Sequence, residues 1–217
     1  MDKIITFDLT KPEIRYLSDR DKRLGKLIRM VGPITYAVRD PYDAYKFLIH
    51  EIIEQMLSVK AGNAIFNRLE ILCNGFIRPE TISSLSDLQI RSIGTTNSKV
   101  AFILSITDAC ISGELDFKQL ENMSDEEVTK KLTSFHGIGP WTAKMYLLFL
   151  LNREDALPFE DVAFLQSYQW LYKTDDRSPE TVKKKCQKWK PYSSYAARFL
   201  YHALGTGLTK EEFHLFK

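Results

Sequence analysis

The stretch Leu132-Thr-Ser-Phe-His-Gly-Ile-Gly-Pro-Trp-Thr-Ala-Lys-Met-Tyr146, continued to Leu157-Pro-Phe-Glu-Asp161, decides the reading of this chain. A helix opens at Ser124, with Glu127 completing a capping box, and carries Val128, Leu132 and Phe135 at helical spacing. Gly137 and Gly139 can take positive φ and let another backbone come close. Pro140 suits the first position of a second helix, where no N–H is needed. The turn between the helices therefore presents N–H groups at a helix start, where a phosphate is stabilised.

Leu-x-x-Phe-x-Gly-Ile-Gly-Pro-Trp-Thr-Ala, with Leu-Pro-x-x-Asp downstream, resembles the helix-hairpin-helix motif of base-excision DNA glycosylases. The branch it is most similar to is the alkylbase one, the family of bacterial 3-methyladenine DNA glycosylase II. A lone Gly-x-Gly is an ordinary turn; the long string with its acidic follow-up is far more specific. Glu54-Gln-Met-Leu-Ser58 resembles the family's Gln-Gln-x-x-Ser loop, with Glu54 departing from the double glutamine. Gly94-Thr-Thr-Asn-Ser-Lys-Val-Ala101 is similar to its Gly-x-x-x-x-Lys-Ala. Trp189-Lys-Pro-Tyr-Ser-Ser-Tyr-Ala197 is similar to its Trp-x-Pro-x-Arg-Ser-Tyr-Ala, with Ser193 in place of the arginine.

Composition bounds the reading without deciding it. At 217 residues, 44% hydrophobic and 27% charged, the chain suits a globular protein of one domain or two packed lobes. A net charge of +2 permits a nucleic-acid partner without arguing for one. Cys73, Cys110 and Cys186 lie far apart, form no metal-binding pair and read as free thiols of a reducing compartment. No apolar run has the length of a membrane span and the charged N-terminus is no signal peptide, so the expectation is an intracellular protein without a membrane partner.

Apart from Ile4–Leu9, which alternates as a strand would but is expected rather to lie as an arm on the body, the periodicity is helical. One amphipathic helix or two short ones cover Arg15–Met30 and end near Gly32-Pro33. Asp40-Pro41-Tyr-Asp43 opens a helix over about 41–57 with Phe47, Leu48, Ile52 and Met56 on its apolar side. Ser58 caps the next helix, which Gly75 closes, and Ser86 forms a capping box with Gln89. Lys183-Lys-Lys185 spans most of a helical turn and reads as solvated surface.

The resemblance implies an all-α, two-lobed helix-hairpin-helix glycosylase fold with the active-site cleft between lobes. One lobe would cover 40–155 and hold the hairpin at about 124–151; the other would combine 1–39 with 156–217, without the extra N-terminal α/β domain of larger relatives. It also implies a mechanism. The base is extruded from damaged double-stranded DNA. Met56 is the wedge, set against the alternative of a core methionine. Gln55, Ser58, Lys99, His136, Gly137, Ile138, Gly139 and Thr142 hold the DNA backbone, Lys99 being equally readable as a solvated lysine. Asp161 matches the catalytic aspartate, and as a residue type it equally suits a helix cap. Trp141, its i+4 neighbour Met145, and Tyr201, where the bacterial family has tryptophan, form the pocket for a cationic base.

Where bifunctional glycosylase/lyases carry a nucleophilic lysine this chain has Trp141, so hydrolysis by water is expected, with Lys144 the remaining candidate amine. No cofactor is required; the resemblance implies a sodium or potassium ion on the hairpin carbonyls near Phe135, His136 and Ile138. A monomer suffices. The expected reaction is release of 3-methyladenine and 7-methylguanine, leaving an abasic site. The rivals are a non-catalytic DNA-binding module that keeps the hairpin, and a bifunctional oxidised-base glycosylase/lyase.

Overall fold

A computed structural model describes residues 4–37 and 43–215. The chain divides into two compact units, Met1–Val38 with Asn152–Lys217, and Arg39–Leu151. Among the described residues no helix is long and apolar enough to cross a membrane.

The first unit begins with strand β1 (Ile4–Phe7), antiparallel to β2 (Ile34–Ala37), with Ile4 opposite Ala37 and Phe7 opposite Ile34. This corrects the arm expected at the N-terminus. Ile34 and Tyr36 alternate with Thr35 and Ala37, but a strand this short hardly rises above the helical pattern around it. Between the strands stand α1 (Pro12–Arg20) and α2 (Lys22–Val31), the second capped by Asp21 and stopped at Gly32 with φ +73°. The unit is completed by α11 (Val162–Tyr172), α12 (Pro179–Cys186) and α13 (Ser193–Gly205). Phe7 packs on Tyr195 with ring centroids 4.9 Å apart, and Tyr36 donates to the Arg198 carbonyl at 3.0 Å, so the strand pair is fastened to α13. The three lysines 183–185 are exposed, as their spacing requires.

Among the described residues, the regular elements of the second unit are all helical. It holds α3 (Ala44–Glu54), α4 (Val59–Leu72), α5 (Pro79–Ser83), α6 (Asp87–Ser92), α7 (Asn97–Ile111), α8 (Phe117–Glu121), α9 (Asp125–Thr133) and α10 (Pro140–Met145). The last passes into one π-helical turn, Tyr146–Leu150, closed by Leu151 N–H to the Tyr146 carbonyl at 3.0 Å. The proline start expected at Asp40–Tyr42 lies outside the described residues.

Phe47, Leu48 and Ile52 of α3 are buried as expected, but the helix ends at Glu54 and Met56 does not belong to its apolar side. Gly62 lets α4 lie against the end of α3, since a Cβ there would stand 2.6 Å from Glu54 Cγ. Ser86 with Gln89 and Ser124 with Glu127 form complete capping boxes. In the second, Glu127 N–H donates to Ser124 Oγ at 3.2 Å and Ser124 N–H to Glu127 Oε2 at 2.8 Å. Val128 and Leu132 bury fully, which holds α9 in place for the turn that follows.

Candidate active site and nucleic-acid interface

The turn between α9 and α10 is held from inside. Phe135 and Ile138 are buried, and Ile138 N–H donates to the Phe135 carbonyl at 3.1 Å. Gly137 has φ +91°, and a Cβ on it would lie 2.2 Å from Phe102 Cγ, so both torsion and space demand glycine. Gly139, by contrast, does not use the left-handed freedom of glycine: its φ is −92° with ψ 175°, extended backbone at the N-cap of α10. Nothing lies within 4 Å of where its Cβ would be. The Gly139 backbone is thus open to an approaching group, beside a helix start where Pro140 has no N–H and Ala143 N–H donates to the Gly139 carbonyl at 3.1 Å. His136 is exposed, its ring 4.8 Å from that of Phe102.

Carbonyls line the same turn. Phe135 O accepts from Ile138 and Gly137 O from Gln55, while those of His136 and Ile138 are not among the acceptors of these bonds. A carbonyl oxygen retains a second lone pair after one bond, so the carbonyls of Phe135, His136 and Ile138 are of the chemical type that a hard monovalent cation would require.

Two residues expected to face a DNA backbone point inward instead. Thr142 lies buried in the first turn of α10, beside the core residues Ala143 and Met145, and its hydroxyl accepts from Gln55 Nε2 at 3.3 Å. Gln55 donates from the same nitrogen to the Gly137 carbonyl at 2.8 Å, so its amide serves the hairpin. Lys99 is the third correction. Its ammonium donates to the carbonyls of Ile53 and Gln55, each at 2.7 Å, satisfying acceptors at the end of α3 rather than reaching out to a phosphate or to solvent. Partial burial pulls its pKa below the usual lysine value.

Met56 then stands clear. It is 101% exposed, at φ +59°, a left-handed torsion that a side chain adopts only at a cost. Ser58 follows as the N-cap of α4, its hydroxyl accepting from Ala61 N–H at 3.3 Å. The core-methionine alternative is overturned by the exposure. Trp141 is half-buried and Lys144 likewise. Met145, expected beside Trp141 as a pocket wall, is buried with Ala143 and Tyr146, so it packs the unit's core.

The first unit presents a carboxylate. Asp161 is buried to 8% exposure and caps α11, Phe164 N–H donating to Oδ2 at 2.7 Å. Tyr201, half-buried on α13, donates its phenol to the same oxygen at 3.0 Å. The loop leading to Asp161 is stitched to the start of α13. Ser194 N–H donates to the Glu154 carbonyl at 2.9 Å, Ala156 N–H to Ser194 Oγ at 2.8 Å, and Ser193 Oγ to Asp155. Ser193, which replaces the family's arginine, is therefore a buried fastener of this loop.

Sequence reasoning missed Asp21. Only 2% exposed, it caps α2 through Arg23 and Leu24 N–H and accepts from Tyr172 Oη, Trp189 Nε1 at 2.9 Å and Lys188 Nζ at 3.0 Å. Burial alone would raise its pKa, but those donors more than offset it and hold the carboxyl below its ordinary range. The cap position before Lys22 was readable; the partners at 172, 188 and 189 were not.

The thiols are free, and burial raises all three, Cys110 to about 12, so none is a nucleophile near neutrality. His50 sits between two carboxylates, Nδ1 3.7 Å from Glu51 and Nε2 3.7 Å from Glu54, with Asn63 Oδ1 3.0 Å from Nε2. Burial works against its charged form, but the hydrogen bonds and the two acids around it outweigh that and raise its pKa above the ordinary histidine value.

Comparison with known proteins gives a consistent result. The sequence model of the HhH-GPD superfamily base excision DNA repair proteins matches residues 49–191. DNA-3-methyladenine glycosylase 1 of Schizosaccharomyces pombe is 36% identical over 179 residues, 79% of this chain and 76% of that protein. Among solved structures, a DNA-3-methyladenine glycosidase from Bacillus halodurans superposes with a TM-score of 0.84 at 32% identity, covering 97% of each chain. A 3-methyladenine DNA glycosylase of Schizosaccharomyces pombe in complex with abasic DNA gives 0.80 at 31% identity, covering 90% of this chain and 97% of that one.

Proposed function

Because the chain belongs to the HhH-GPD superfamily of base excision DNA repair proteins, we propose that it is a monofunctional DNA glycosylase that hydrolyses the N-glycosidic bond of alkylated purines and leaves an abasic site. The substrates are 3-methyladenine and 7-methylguanine, the lesion named for its relatives being the first of these.

The observation that carries the reading is Asp161: a buried carboxylate fixed by a backbone N–H and a phenol, downstream of a hairpin turn with an open backbone. Breaking a glycosidic bond builds positive charge on the sugar, and a fixed carboxylate stabilises that charge or orients the attacking water. An N-alkylated purine already carries a positive charge, so it leaves without an acid. An aromatic face attracts such a ring, and Trp141 and Tyr201 are half-buried aromatics of that kind, one in each unit.

The Gly139 backbone and the first amides of α10 hold phosphate oxygens, which fixes position without reading sequence. Met56 enters the stack and fills the space of the extruded base. A sodium or potassium ion on the carbonyls of Phe135, His136 and Ile138, where bound, adds positive charge beside the phosphates. Trp141 stands where a lyase would need its amine, so water is the nucleophile. The partner is damaged double-stranded DNA, one copy of the chain suffices for the chemistry, and the cell interior is the place of action.

The test is incubation with methylating-agent-treated duplex DNA and identification of released bases by mass, with borohydride added in parallel. Release of methylated purines without a trapped protein–DNA adduct is expected. A trapped adduct would overturn the monofunctional reading, and salt-dependent binding without any released base would leave a DNA-binding module.

A further inference from the structure

The exposed Met56 is held by an arrangement that the reaction scheme does not use. Lys99 places one ammonium on two carbonyls either side of the point where α3 ends, Ile53 O and Gln55 O, each at 2.7 Å. The next residue is Met56, at φ +59° with its side chain wholly in solvent. Gln55, between clamp and wedge, reaches across to the hairpin, donating to Gly137 O at 2.8 Å and to Thr142 Oγ at 3.3 Å. Gly137 is itself locked by its torsion and by Phe102 against it. Met56 has no packing of its own to keep its backbone in a left-handed torsion, so the neighbours on its N-terminal side must do so.

We propose that Lys99 and Gln55 are positioning residues that preset the Met56 wedge and tie it to the phosphate-holding turn, so that gripping the backbone and displacing the base occur as one rigid event. This rests on the reading of the protein as a base-flipping glycosylase. A wedge free to swing would lose entropy on entering the stack; a preset one has already lost it during folding. Lys99 therefore touches neither substrate nor DNA. The ammonium also suits the negative end of α3, which accounts for a cation at a partly buried place.

Three substrates separate this role from its alternatives. The first is a duplex with a paired alkylated purine. The second carries the same lesion in an unpaired bulge, which needs little work to extrude. The third is an intact duplex with 2-aminopurine beside an abasic analogue, whose fluorescence reports unstacking without hydrolysis. Lys99→Met keeps the stem and loses the donors; Gln55→Glu keeps the shape and loses the amide; Met56→Ala removes the wedge.

All three are expected to lower single-turnover release from the paired lesion about tenfold or more, to change release from the bulge less than about threefold, and to reduce the 2-aminopurine signal together, with duplex affinity kept within about threefold. An equal loss on both lesions, an unchanged rate on the paired one, or a drop in affinity with a shallower salt dependence for Lys99→Met would overturn the proposal, the last because it marks a phosphate contact. If wild type raises the fluorescence but releases no base, the glycosylase reading fails while the clamp is still judged by the variants' fluorescence. Should Lys99→Met fail to fold, Gln55→Glu carries the same comparison from the hairpin side.

Discussion

Replacing each hairpin glycine by alanine separates folding from binding. At Gly137 a Cβ would meet three atoms of Phe102 at 2.2, 2.5 and 2.6 Å, and φ is +91°. Overpacking of a filled site costs about 1–3 kcal/mol. A left-handed torsion adds about 1–2 kcal/mol, for a total near 3.5 kcal/mol. For a chain of this size about 3 °C is lost per kcal/mol, so Gly137→Ala should melt about 10 °C below wild type. At Gly139 the torsion is extended and the space empty. Only the weaker capping of alanine is felt, about 1 kcal/mol or less, hence at most about 3 °C. The new methyl group would stand where a phosphate approaches, and duplex affinity should fall about tenfold, the worth of one hydrogen bond to a charged group. Thermal melting and fluorescence-anisotropy titration with a fixed duplex check both. If Gly137→Ala melts with wild type, or Gly139→Ala binds DNA as wild type does, the account of the turn is wrong.

Asp21→Asn removes a carboxylate that faces three side-chain donors and should destabilise the first unit by about 3 kcal/mol, as breaking a buried pair does. Because the folded pKa lies below the unfolded one, that stabilisation is present above the unfolded value near 3.8 and is lost as pH falls through the folded one. Wild type should therefore lose urea resistance below about pH 4 more steeply than Asp21→Asn, and parallel profiles would contradict the assignment. Tyr201→Phe keeps the ring and deletes the bond to Asp161; single-turnover release should slow about tenfold with affinity unchanged, and an unaltered rate would reduce Tyr201 to a packing residue. Ser124→Ala breaks one half of the capping box at α9 and should cost about 1 kcal/mol in a denaturant titration.

Local signals were the legible ones. The capping boxes at Ser86 and Ser124, the cap at Ser58 and the proline start of α10 each depend on residues three or four apart, and each stands in the structure as read. The hairpin string was long enough to be specific, and the family follows from it. What failed was side-chain direction. Lys99 looked like a surface lysine because nothing nearby in sequence shows that the end of α3 lies across from it. Gln55 and Thr142 meet each other although 87 positions apart, so neither could be seen to point inward. Met145 shares a face with Trp141 on a helical wheel, yet that face is core by the time the chain reaches it. The β1–β2 pair was missed for the opposite reason: the alternation at Ile4–Leu9 was visible, but its partner Ile34–Ala37 is too short to show that a strand waits there. Asp161 was ambiguous between cap and catalyst, and the capping geometry is real, which leaves the catalytic role to be decided by chemistry.

Asp161→Asn decides it. Asparagine caps helices as well as aspartate and can still accept from Phe164 N–H, so the variant keeps the fold while removing the charge. Single-turnover release of methylated purines should fall by about 10²–10³-fold, the usual loss when a fixed group facing transition-state charge is removed, with melting temperature and duplex affinity near wild type. A folded, DNA-binding Asp161→Asn that releases bases at the wild-type rate would contradict the central claim.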